Sequence, residues 1–86
     1  MASPSATAEI LAEEVRRWSA RSYDEVAAQA EITTYDRERD GVVYQVEVEI
    51  LLRRPEWIQL IIAVDDCTLR SAMSPASEIV LVHRDR

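Results

Sequence analysis

The chain has 86 residues, with ten arginines, no lysine and sixteen acidic side chains, for a net charge of −6. Such acidity argues against nucleic-acid partners, which need a positive footprint, and against anionic membrane surfaces. A lone cysteine, Cys67, excludes an intramolecular disulfide and fits a reducing, cytoplasmic setting. The opening stretch MASPSATAEILAEE lacks a basic start and a long apolar core, so no secretory signal is expected. The longest apolar run, Leu60–Val64, is far too short to span a bilayer. A chain of this length makes one small domain, 1–86, with a core that is only marginally stabilising by itself. That raises the expectation of self-association.

Residues 3–30 read as helical. Ser3-Pro4 has the form of an N-cap followed by proline at the first helical position. From there to Ser19, Leu11, Val15 and Trp18 recur at i, i+4 and i+7, with Ile10 and Ala8 beside them. Glu9, Glu13, Arg16 and Arg17 take the wet side, and Glu13 with Arg17 makes a favourable i, i+4 pair. Ser22-Tyr23-Asp24-Glu25 is a capping box, which starts a second short helix through Ala30 with Val26, Ala27 and Ala30 as its stripe. The box favours a corner between the two helices over one bent rod.

Residues 31–84 read as an antiparallel sheet. Glu31–Arg39 is rich in Thr and Tyr and poor in core residues, as suits an edge strand. Asp40-Gly41 is a hairpin signal. A two-residue loop there opposes Tyr35 to Val46. A three-residue loop with a glycine bulge opposes Ile32 to Val48, and is favoured here because it brings Ile32 inside.

The stretch Gly41–Asp66 is the centre of the fold. Val42, Tyr44, Val46, Val48, Ile50 and Leu52 fall on one side of its first strand, and Val43, Gln45, Glu47, Glu49, Leu51 and Arg53 on the other. In its second strand Ile58, Leu60, Ile62 and Val64 form one face. Trp57, Gln59, Ile61 and Ala63 form the other, also largely apolar. For Leu52 and Ile58 both to point inward, the connecting loop must have an odd length, Arg54–Glu56 or Arg53–Trp57. Pro55 suits that turn. A linker spans 67–77, and Glu78–Arg84 is the last strand. The expected class is α+β, two-layer: an N-terminal helix pair packed on one face of a four-stranded antiparallel meander sheet.

No catalytic or cofactor signature is visible. Asp36 to Glu47 nearly matches a calcium loop. However, Glu38 is too long for its position, Arg37 and Arg39 interrupt the ligands, and a strand rather than a helix follows the glycine. Asp65, Asp66 and Cys67 cannot form a zinc site, since neighbouring strand residues point to opposite faces and no further Cys or His pair exists. No cofactor and no metal are therefore expected. His83, the sole histidine, has no nucleophile beside it in sequence.

Two functional classes are consistent with this pattern. Leu51, Trp57, Ile61 and Ala63 lie on the face away from the core and would form an apolar patch, suited to a homodimer or a protein partner. The alternative is a small-ligand binder or minor enzyme with a helix–sheet pocket lined by Tyr35, Tyr44 and His83, with Tyr23, Arg37 and Arg39 nearby.

Overall fold

The computed structural model describes residues 4–66 and 76–84, and it has the expected α+β form. Helix α1 runs Pro4–Ser19 and helix α2 runs Tyr23–Ala27. Strands β1 (Ile32–Arg39), β2 (Val42–Arg53), β3 (Trp57–Asp65) and β4 (Ala76–His83) form one antiparallel sheet in the order β1-β2-β3-β4. Most of the 67–77 linker, residues 67–75, and Cys67 with it, lies outside the described residues.

The helices break where the capping box predicts. The Ser22 hydroxyl accepts from the Glu25 amide at 3.1 Å, and the Glu25 carboxylate accepts from the Ser22 amide at 2.9 Å. The second helix stops at Ala27 rather than Ala30, and Ala30 is exposed. Arg53 shapes this exit. Its guanidinium donates to the Ala27 and Gln29 carbonyls at 2.9 and 3.2 Å, offering the orphan acceptors of the helix end a partner without another turn.

Both helices cover one face of the sheet. Its core comprises Tyr44, Val46, Val48 and Ile50 of β2, Ile58, Leu60, Ile62 and Val64 of β3, and Val80 and Val82 of β4, packed under Ile10, Trp18 and Val26. The α1 stripe is rotated from the expected one. Thr7, Ile10, Glu14 and Trp18 are buried, Leu11 and Val15 are half-buried, and Ala8 is exposed.

Two registers differ from expectation, and both differences have a local cause. At Asp40-Gly41 the loop has two residues, not three. Arg39 pairs with Val42 and Tyr35 with Val46. Asp40 and Gly41 both have positive φ, 53° and 79°, the pattern of a type I′ turn whose twist matches that of the strands. The one-step change sends Ile32 outward and turns Thr33, Tyr35, Arg37 and Arg39 toward the helices. At the β2–β3 turn the strands leave the expected three residues, Arg54–Glu56, between them, but they pair in the register of an even loop. Arg53 pairs with Ile58, and the Arg54 amide donates to the Trp57 carbonyl at 2.8 Å. A bulge between Ile50 and Leu52 absorbs the mismatch, so Ile50 still faces Leu60 and Val46 still faces Val64. Its cost falls on Leu52, which pairs with Gln59 in the outward register instead of entering the core.

Candidate functional site

The inward face of β1 carries polar side chains where the other strands carry aliphatic ones, and α1 answers them. Glu14 is completely buried. Its carboxylate accepts from the Tyr35 hydroxyl and from Arg37, and the Tyr35 oxygen in turn accepts from Trp18 Nε1 at 2.9 Å. Arg37 also reaches Glu13 at 2.8 Å, and Arg39 grips Glu13 at 2.7 Å and Glu9 at 3.1 Å. Arg17 lies 3.6 Å from Glu14, so it pairs with that residue rather than with Glu13. These links tie edge strand β1 to α1 by ion pairs.

Titration follows from that geometry. Hydrogen bonds from Arg39 and then Arg37 hold the Glu13 carboxyl below its ordinary value of 4.5. Burial, with the Glu14 hydrogen bond second, pushes the Tyr35 phenol above its ordinary 10.0. Every buried side-chain polar atom among the described residues has a partner. A satisfied network of this kind locks packing and leaves no donor or acceptor free for a substrate.

The suggested pocket trio is divided by the sheet. Tyr35 and Tyr44 share the inward face of β1 and β2, and Tyr44 is buried in the core. His83 pairs with Trp57 and alternates with buried Val82, which puts it in the outward register at the end of β4. Tyr23 sits elsewhere, its hydroxyl donating to the Arg54 carbonyl at 2.6 Å. The 36–47 segment is a hairpin, with Asp36 paired to Gln45 across it, rather than a loop that could wrap an ion. Among the described residues no cluster of three or more His, Cys, Asp or Glu is placed to hold a metal.

The outward face of the sheet is where the exposed apolar surface lies. Register places Ile32, Glu49, Ile61 and Ile79 in one row across all four strands, with Leu52, Gln59 and Leu81 in the next and Trp57 with His83 beyond. Ile32 and Ile79 are each 53% exposed, and Leu51 and Leu81 each 45%. Trp57, Ile61 and Ala63, expected here from the sequence, are half-buried by their neighbours. Ile79 and Leu81 were not singled out from the sequence, although their alternation with Val80 and Val82 carried the signal.

Charge divides this face. Asp36, Glu38, Glu47 and Glu49 lie on its β1–β2 half, and the apolar residues of β3 and β4 on the other, with Asp65 at the end of β3 the carboxylate of that half. The described arginines all lie on helices, in turns or on the helix-facing side.

Comparison with family models, with curated proteins and with solved structures finds no match to this chain. Among the described residues no helix is long and apolar enough to cross a membrane.

Proposed function

We propose that this protein works as a self-associating module whose outward sheet face docks against a second copy of the chain. The observation that carries the reading is exposed Ile79 and Leu81 beside half-buried Ile61, on a sheet whose helices lie wholly on the other side. Four strands about 4.8 Å apart and about eight residues long at 3.3 Å each make a face of roughly 19 by 26 Å. Joining only the β3–β4 halves of two such faces covers roughly 250 Å² on each copy and about 500 Å² in all, at the low end for a specific interface. That burial gives roughly 12 kcal/mol of gross transfer energy at about 25 cal/mol/Å². Lost translational and side-chain freedom offsets much of it, and the remainder supports a dimer at micromolar concentration.

The charge pattern selects the geometry. With four carboxylates on the β1–β2 half and no described arginine on the face, a two-fold axis over β1–β2 would oppose like charges. An axis over β3–β4 joins the apolar halves and leaves Glu47 and Glu49 at the rim, in water.

Sedimentation equilibrium tests the proposal. Wild type is expected near twice 9.8 kDa, and Trp57→Glu, Ile61→Glu and Ile79→Glu at monomer mass with unchanged circular dichroism. A wild type that stays monomeric at hundreds of micromolar overturns it.

A further inference from the structure

The corner between α1 and α2 holds a second feature, independent of the sheet face. A cleft of about 410 Å³ opens there, lined by Arg21, Ser22, Tyr23 and Glu25 of the corner and by Val82 and Arg84 of the last strand and its end. That volume lies toward the small end of the range for small-molecule sites, roughly 300–1,000 Å³. Its walls are fixed by backbone. The Arg21 amide bonds the Trp18 carbonyl at 3.2 Å, and the Arg84 amide bonds the Glu56 carbonyl at 2.8 Å.

The two arginines differ from those on the inward side of the sheet. Arg17, Arg37, Arg39 and Arg53 each pair with a carboxylate. Among the described residues Arg21 and Arg84 pair with none. Arg21 instead lies over the Trp18 ring at 4.1 Å, and Arg84 over the Tyr23 ring at 5.5 Å. A guanidinium laid on an aromatic face keeps its N–H donors in its own plane, pointing past the ring, with its orientation already set. Arg84 spends one donor on the Pro55 carbonyl at 3.3 Å.

The cleft contains one acid, Glu25, whose carboxylate accepts from the Ser22 amide in the capping box and feels the Arg21 charge without a direct ion pair. Two guanidiniums therefore outweigh one committed carboxylate. In a chain of net charge −6 this is a local reversal of sign. Two pre-oriented forks suit an anion that offers two or more oxygens to each.

We propose that this cleft binds a doubly charged oxyanion on a small organic body, held by Arg21 and Arg84. Phosphomonoesters and dicarboxylates share that chemistry. Val82 and Ala20 supply the apolar wall against which the body of the ligand rests. Arg16 also lacks a carboxylate partner among the described residues, but it is exposed and lies outside the cleft, which makes it the internal control.

The test is a titration of the uniformly ¹⁵N-labelled chain with phenyl phosphate, inorganic phosphate and succinate in separate arms. Saturable amide shifts confined to residues 19–25 and 82–84, with Kd of about 1 mM or tighter, are expected in at least one arm. Saturation with the phosphates alone assigns the site to phosphoryl groups, and saturation with succinate alone assigns it to carboxylates. Arg84→Gln and Arg21→Gln should each weaken binding about tenfold or more, Arg21→Lys less than Arg21→Gln, and Arg16→Gln not at all. Absence of saturation in every arm at about 50 mM overturns the proposal. So does a loss in Arg16→Gln equal to that in Arg84→Gln, which would show diffuse charge attraction. Dispersed spectra of each variant keep the reading separate from unfolding, and Arg84→Gln leaves the Arg21–Trp18 contact in place.

Discussion

The two faces of this sheet are built from the same strands and have opposite fates. On the inward face of β3, Ile58, Leu60, Ile62 and Val64 are fully buried beneath α1 and α2. On its outward face Trp57, Ile61 and Ala63 are nearly as apolar yet only half-buried. The difference lies not in the residues but in the number of layers. Two helices can cover one side of four strands, and among the described residues no second layer covers the other side. Apolar residues on the covered side contribute to folding, and on the proposed reading those on the open side contribute to association.

A second contrast lies within the covered face. At β3 the contact with the helices is aliphatic, and at β1 it is an ion-paired strap through Glu14, Arg37 and Tyr35. Substituting Glu14 should produce the largest effect. Glu14→Ala leaves Arg37, partly buried, without one of its two carboxylate acceptors and the Tyr35 hydroxyl without its own. A loss of about 3–5 kcal/mol is expected from urea melts. A loss below about 1 kcal/mol would show that the strap contributes little and that β1 is held by its ladder with β2 alone.

Next comes the comparison of faces itself. Ile62→Ala opens a cavity beneath the helices and should cost about 2–5 kcal/mol. Ile79→Ala, on the open face, should cost less than about 1 kcal/mol in the dilute monomer while raising the concentration at which the chain associates. Equal costs for the two at high dilution would mean that the open face is covered within one chain.

The smallest expected effect is the response to acid. Glu13 has its folded pKa depressed by Arg39 and Arg37. Its contribution is therefore present above the ordinary carboxylate value of 4.5 and is lost as pH falls through the lower folded value. Stability of wild type should decline as pH drops below about 4.5, and Glu13→Gln should flatten part of that decline. Identical acid limbs in the two proteins would remove Glu13 from the strap.

Some of this architecture was legible in the residues. The capping box at Ser22–Glu25 fixed the helix break, because its partners are three residues apart and need nothing from elsewhere in the fold. The alternation assigned the faces of β3 and of β2 as far as Ile50, and beyond it the bulge reversed the expected sides of Leu52 and Arg53. Turn geometry was less legible. At Asp40-Gly41 the pull of Ile32 toward a core argued for a bulge, yet the type I′ twist prevailed and Tyr35 took the inward place. The cost of exposing Ile32 is offset by Tyr35 and Arg37 finding Glu14.

The sequence by itself determined the local elements: two helices parted at a capping box, a central hairpin around Gly41–Asp66, and an aliphatic inward face on β3. Each follows from contacts within a few residues or from strict periodicity. Tertiary structure alone decided that Glu14 lies in the core, that a bulge beside Leu51 reconciles an even turn with the β2–β3 register, and that Arg21 and Arg84 meet across one cleft. These depend on residues far apart in the chain. Whether a carboxylate is affordable inside depends on an arginine arriving from another element, and no local pattern encodes that arrival.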